Sequence, residues 1–438
     1  MGLFASKGRN HLEGFKELSK HSEIITIDAV NGFKVYFPTM SPNKKPIEYA
    51  VKVGDYVKEG QLIGHRTDFY VPIYSSVSGT VLENEKIFSA QIGTLIPHLV
   101  IESDGKHELA EPLKTVTLDN SKEEIFAAIK ESGMVGMGGA GFPTYIKYMT
   151  DKPIDTIIAN GVECEPFLTT DFVSTVREAD HLLDGMELLM KAIGAKNGVI
   201  AIKVHKEEII EVLKKLLPEH PNITLKELPD LYPMGWEKVL IEETLGRTYE
   251  KLPADCGCIV NNSQTIINLY KILTTGRPFT NRLVTVSGDA IKNPTNVCVS
   301  LGTLSNLLID ACGGYSDEGE ISVIPGGPMC SKAATNDSFP ILTQMGSLTI
   351  LKYKKLRVDA CLRCGSCTSH CPAHLQPVEI KRAFDSKNVD RMIALDTMAC
   401  VECGTCSFVC PSHIELTDYV KKSKGLVRLR MSAPGAKK

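Results

Sequence analysis

From Ile25 to about Ile101 the apolar residues come in short runs broken by turns. "VKVGDYVKEGQLIG" (Val51 to Gly64) alternates apolar and polar positions, with Gly54-Asp55 as a turn, and "PIYSSVSGTVLENE" keeps the rhythm. A period of two with frequent turn residues predicts a small β-sandwich. Beyond Ser121 the period changes. "SKEEIFAAIKES" opens on a Ser-x-x-Glu capping box and continues with helical spacing. Strand candidates at Thr156 to Ala159, Val199 to Val204 and Ile223 to Leu228 alternate with helices at Thr175 to Ile193, stopped by Gly194, and at Lys206 to Leu217, stopped by Pro218. That alternation predicts a parallel sheet covered on both faces. Asn281 to Gly314 reads as a hairpin and then a helix ended by Gly-Gly, a small β-grasp insert. From about Lys352 cysteines organise the chain.

The expected fold is therefore multidomain α/β + β. It has a β-sandwich at 20–110, an α/β domain at 120–280, a β-grasp insert at 281–340 and a helical cysteine module at 350–425. A length of 438 residues fits this many domains. The sandwich resembles the lipoyl/biotinyl carrier fold. A carrier offers a lysine on its exposed hairpin, and His65 to Thr80 contains none, so the resemblance is to the scaffold and no covalent lipoyl or biotinyl group is expected.

With 43% hydrophobic and 23% charged residues the composition is that of a globular protein, and a net charge of −3 gives no global reason for nucleic-acid binding. Lys421, Lys422, Lys424, Arg428, Arg430, Lys437 and Lys438 make a basic tail. Its plain reading is a solvated segment, and its sharper one is docking to an acidic partner or a membrane surface. No apolar run approaches the ~20 residues of a spanning helix. Met1 to Gly8 lacks the apolar core of a signal peptide. The expected location is the cytoplasm, with peripheral attachment to the inner face of the cell membrane as an alternative. Fourteen cysteines in a reducing compartment argue for metal or redox chemistry rather than disulfides.

Cys361, Cys364, Cys367 and Cys371 form C-x2-C-x2-C-x3-C-P, and Cys400, Cys403, Cys406 and Cys410 repeat it. In this spacing three thiolates of one tight turn cap three irons of a [4Fe–4S] cubane, and the fourth cysteine serves the other cluster. The assignment is Cys361, Cys364, Cys367 and Cys410 to one cluster, and Cys371, Cys400, Cys403 and Cys406 to the second. Zinc knuckles would use two C-x2-C pairs, usually with longer gaps. The 28 residues from Pro372 to Ala399 are helical in pattern, as in a helical ferredoxin. His370, His374 and His413 read as surface or hydrogen-bonding residues. Cys164, Cys256, Cys258, Cys298 and Cys312 read as packed thiols.

"GMGGAGFPTYIK" (Gly136 to Lys147) satisfies G-x-G-x-x-G, but a helix precedes it and Phe142-Pro143 follows. The Rossmann fingerprint needs a strand before and a helix after, so it does not apply. The loop still offers consecutive amides to a phosphate or flavin, and Lys147 could reach an anion. The plain alternative is a glycine-rich turn.

The glycine loop, "ANGVECEP" (Ala159 to Pro166), "YPMGWE" (Tyr232 to Glu237) and "NNSQT" (Asn261 to Thr265) occur in the order of the flavin-binding, NADH-oxidising subunit of respiratory complex I. The whole layout resembles the RnfC family, the NADH-oxidising subunit of Rnf-type ferredoxin:NAD oxidoreductases, over nearly the whole chain, with the insert resembling an SLBB domain. The resemblance implies that Gly136, Gly138, Gly139, Gly141 and Lys147 hold FMN and that Phe142 stacks on the nicotinamide. It implies that Asn160, Asn261, Asn262 and Thr265 contact flavin or its phosphate, and that Glu165 and Glu237 position NADH. Electrons would pass from NADH through FMN and two [4Fe–4S] clusters to an electron-acceptor protein. That acceptor is either another Rnf-type subunit or, as in soluble RnfC-like relatives, a reductase of the D-proline or cobalamin type. A ferredoxin-like carrier that does not use NADH, and a scaffold that lost its flavin, are the other readings. The chain departs from the pattern at Val162, Met137 and Cys330 and in its N-terminal segment. Cys330, followed by Lys332, is expected on an exposed loop as a thiolate or else as a packed thiol.

Overall fold

The computed structural model describes residues 9–316 and 319–432. Met1 to Gly8, Lys437 and Lys438 lie outside the described residues. The expected sandwich forms from two antiparallel sheets. One holds Lys34–Pro38, Thr94–Ser103, Gly79–Ser89 and Tyr56–Val57, and the other Ile47–Tyr49, Leu62–Arg66 and Val71–Tyr74. Alternate residues Val35, Phe37, Val57, Ile63, Val81, Leu99 and Ile101 meet in its core. Gly79 is required there, since a Cβ would stand 2.0 Å from Glu102 O. Ile25–Ile27, expected to open the sandwich, instead pairs in parallel with Thr295–Ser300 at the edge of the grasp sheet. A three-residue apolar alternation fits either sheet, and the open edge there takes it.

In the α/β domain the strands Ile223–Leu228, Asn197–Lys203, Thr156–Asn160 and Cys258–Asn262 lie side by side in that order, all parallel. Their near-continuous apolar runs reflect burial on both faces. Ile157, Ile200, Ile202 and Ile259 pack on one side with Ala179–Ile193 and Ser263–Thr275. Ile158, Val199 and Val260 pack on the other with Glu237–Leu245. The capping box forms as expected: Ser121 Oγ accepts from Glu124 N, and the Glu124 carboxylate accepts from Ser121 N. The single helix expected from Thr175 to Ile193 is two, Thr170–Arg177 and Ala179–Ile193, broken at Glu178. The first has its own anchor: Glu163 Oε1 accepts from Asp171 N at 2.7 Å, which fixes its start independently of the second.

The grasp sheet runs Ile25–Ile27, Thr295–Ser300, Asn281–Ser287, Ser347–Lys352, Ile321–Pro325, closed by the helix Ser305–Ala311. Its strand Ser347–Lys352 leads straight into the cysteine module, where the helices Pro377–Asp385, Val389–Ala394 and Leu416–Ser432 pack together. No described helix is long and apolar enough to cross a membrane.

Candidate functional site

In the parallel sheet the chain order reverses between Thr156–Asn160 and Cys258–Asn262. Ligands of open α/β sheets bind outside the carboxyl ends of the strands at such a switch point. Asn160 and Asn262 end these two strands side by side. The glycine loop arrives there between the helices Lys122–Glu131 and Thr144–Tyr148. It is closed on itself by Gly136 N donating to Phe142 O at 2.8 Å, and Met137 N donates to Thr265 Oγ1 at 3.0 Å. Gly138 stands so close to Asn262 that a Cβ would meet that side chain at 3.4 Å. Gly139 has φ 104° and Gly141 φ 62°, conformations that favour glycine. Asn262 Oδ1 caps the helix Ser263–Thr275, and its Nδ2 donates to Asp171 Oδ2 at 2.8 Å. Asn261 donates to Tyr148 Oη, and Asn160 to Gly235 O, both at 2.8 Å. Lys147 Nζ donates to Val260 O at 2.6 Å and faces Glu237 Oε1 at 3.5 Å.

These residues fit a phosphate-bearing planar cofactor. No atom lies within 4 Å of where a Cβ on Gly139 would stand, so the backbone is approachable. The hydroxyls of Thr144 and Ser263, at the first positions of the two helices beside the loop, are buried without a hydrogen-bond partner. Phe142 is 40% exposed and meets Phe69 edge-on, ring centroids 6.0 Å apart. Phe69 comes from the sandwich hairpin tip, where a carrier would present its lysine. Tyr70 and Tyr74 moor that hairpin to Glu131 at 3.1 and 2.5 Å. The departures are packing choices: Met137 and Val162 are both buried in the two cores of the sheet.

Glu165 is turned elsewhere. Its Oε2 accepts from Met329 N at 3.0 Å, while its Oε1 is buried without a partner, and burial raises its pKa above the usual carboxylate range. Sequence reasoning passed over Glu163, whose carboxylate is the more embedded. Lys206 Nζ lies 3.2 Å from it, and Lys16 Nζ donates to the carbonyls of Glu163, Glu165 and Leu168. Burial pulls the Lys16 ammonium down to about 8, against the opposing pull of Glu163. Only the paired acidic positions of "VECEP" hinted at this.

The cysteine module brings together the sets that spacing assigned. Cys361, Cys364, Cys367 and Cys410 line one cavity of about 310 Å³. Cys371, Cys400, Cys403 and Cys406 line a second. The two motifs repeat each other in the backbone: Arg363 and Glu402 (φ 56° and 59°), Gly365 and Gly404 (79° and 80°), His374 and His413 (55° and 53°). Arg363 N approaches Cys361 Sγ at 3.4 Å as Glu402 N approaches Cys400 Sγ at 3.3 Å. A tetrahedral zinc site, with Zn–S near 2.3 Å, holds its sulfurs about 3.8 Å apart. Among the described residues only Asp184, Glu187 and His220 form a group of three or more ligand atoms within 4.8 Å of one another, so neither cysteine set is that tight. Wider separation suits ligands that each cap a different iron.

The two sets differ in setting. Cys361 and Cys364 are exposed, whereas each cysteine of the second set is buried or half-buried. Tyr232, 1% exposed, donates its phenolic hydrogen to Cys403 O at 2.6 Å. A Cβ on Gly404 would stand 2.1 Å from Met329 O. Loops of the α/β and grasp domains therefore close over this inner set. Cys330 sits in the same junction, its Sγ 3.2 Å from Tyr232 Oη, while Lys332 pairs with Asp418 at 2.6 Å. Burial and Glu165 push the Cys330 thiol well up, so the expected exposed thiolate is corrected to a half-buried thiol.

Residues 4–106 match the family described as the RnfC barrel sandwich hybrid domain, 129–271 the Nuo51 FMN-binding domain, 283–333 the SLBB domain and 360–414 the 4Fe-4S dicluster domain. The RnfC-type subunit of the proton-translocating ferredoxin:NAD(+) oxidoreductase complex of Clostridium ljungdahlii is 38% identical, over 78% of this chain and 77% of its own. The Na(+)-translocating counterpart of Acetobacterium woodii is 36% identical over 76% and 77%. The corresponding subunit of the ion-translocating oxidoreductase complex of Rhodobacter capsulatus is 32% identical over 86% and 74%. A polypeptide of the air-oxidised NAD+-reducing [NiFe]-hydrogenase has a similar fold, with a TM-score of 0.50 and 18% identity over 73% of this chain and 69% of that one. On the strength of these long matches the chain belongs to the RnfC family of ferredoxin:NAD(+) oxidoreductase subunits.

Proposed function

We propose that this chain draws electrons from NADH through FMN and passes them singly, by way of two [4Fe–4S] clusters, to an acceptor protein. FMN, when bound, supplies the exchange between a two-electron donor and one-electron carriers. The protein's part is binding, orientation and separation from water. Gly136, Gly138, Gly139 and Gly141 let the backbone approach the cofactor, with Asn160, Asn261, Asn262 and Thr265 fixing the strand ends beneath it. Lys147 places a cation beside that cradle. Phe142, Glu165 and Glu237 are assigned to the NADH side. Cys371, Cys400, Cys403 and Cys406 hold the inner cluster, and Cys361, Cys364, Cys367 and Cys410 the outer one.

The observation that carries this reading is the pair of four-cysteine cavities, the inner one hydrogen-bonded to a loop of the α/β domain through Tyr232. Electrons then run inner, outer, acceptor, because only the outer set has exposed ligands. The relatives are named as parts of ion-translocating complexes, which favours another subunit over a soluble reductase as acceptor, and peripheral attachment at the membrane through that subunit. Anaerobic purification should yield about eight irons and eight sulfides per chain. NADH should bleach the flavin and cluster absorbance together. Glu165→Ala and Glu237→Ala should raise KM for NADH about tenfold with flavin content unchanged, as expected of ground-state contacts. Two zincs and little iron, or a protein that binds no flavin, would overturn the proposal.

A further inference from the structure

Every residue from 352 to 365 is exposed, and this run carries the two exposed cysteines of the outer set. Large apolar side chains stand out in it: Tyr353 is 50%, Leu356 56%, Val358 62% and Leu362 68% exposed. Between them lie Lys352, Lys354, Lys355, Arg357 and Arg363, against the single carboxylate of Asp359. The molecule as a whole has net charge −3, so this strip opposes the charge of the protein that bears it. The outer cavity opens beside it, with Leu362 and Arg363 in its wall.

We infer that residues 352–363 form the docking surface for an acidic one-electron redox protein. Three features favour this occupant. An apolar patch beside an exposed redox site excludes water from a brief contact, and weak electron-transfer encounters use small interfaces. A basic strip on an acidic molecule steers an acidic partner to that one face. The partner need approach only to the rim of the cavity, since Cys361 and Cys364 already stand at the surface. The step is transfer of one electron from the reduced outer cluster to the acceptor's metal, which is the oxidant; no bond is made or broken. The inference rests on the electron-carrier reading above.

The test uses the holoprotein with two one-electron acceptors of opposite charge, an acidic rubredoxin and a basic cytochrome c. Protein reduced by dithionite and freed of the excess donates whether or not NADH is the natural source, so the two readings fail separately. Rubredoxin reduction should slow as ionic strength rises from about 10 mM to about 0.3 M, and cytochrome c reduction should not. Lys354→Glu/Lys355→Glu/Arg357→Glu should slow rubredoxin reduction at least tenfold at low salt. It should weaken capture by immobilised rubredoxin in surface plasmon resonance, with iron content and NADH bleaching of the bound centres unchanged. Leu356→Ser/Val358→Ser should weaken that capture without altering its salt dependence. Rates and binding insensitive to both salt and charge reversal would overturn the assignment. So would a triple variant that loses co-sedimentation with phosphatidylglycerol vesicles yet reduces rubredoxin as before, which would make the strip a membrane surface.

Discussion

Single residues decide how the redox sites are joined. Tyr232 reaches across 171 positions to the carbonyl of Cys403, and burial raises its pKa so far that it stays a donor at every working pH. Tyr232→Phe leaves that carbonyl without its partner, at a cost of about 1–3 kcal/mol. The expected result is backbone hydrogen exchange at residues 403–406 faster by between about fivefold and a hundredfold, with iron content unchanged. The eight cysteines and the glycine loop were legible from sequence because their chemistry is written in local spacing. Tyr232, Glu163 and the true surroundings of Cys330 were not, because their partners come from distant segments. The expected thiolate failed for this reason: Lys332 is near Cys330 in sequence, but Asp418 claims it in space.

At the level of elements, what carried its own period or cap was readable. The capping box at Ser121 and the strand Ile223–Leu228 appear where the pattern put them. The break at Glu178 did not, since its cause is a carboxylate eight residues before the helix it caps. Least legible was the segment 9–20, which has no periodicity. It is held by Asn10, bonded both ways to the Tyr232 backbone, by Arg9 on Glu243 at 2.6 Å and by Phe15 stacked on Phe167 at 4.8 Å. Lys16 is its main anchor. Lys16→Met strips three carbonyls and a buried carboxylate of their cation, a change that costs about 3–5 kcal/mol where charge is buried. Limited proteolysis should then cut within residues 9–20 well before any other site, whereas the parent chain resists there.

Across the whole molecule, four compact units are set so that the redox sites fall in a line from sheet end to surface. Their number and order were readable from composition shifts. Their mutual placement was not, because it depends on surfaces such as that of Met329 against Gly404. That placement makes the two clusters unequal. Mild oxidation with ferricyanide should reduce iron from about eight to about four per chain while NADH still bleaches the flavin and one cluster; simultaneous loss of all the iron would contradict the inner–outer distinction. The close fit at Gly404, where not even a methyl group has room, also sets a timetable for biogenesis. The lid over the inner cysteines belongs to domains translated before them, so it is already folded when Cys400 to Cys406 emerge. Metal delivery has to precede closure of that lid, and a chain that closes first is a dead end for maturation, with its outer site still open and its inner one beyond reach.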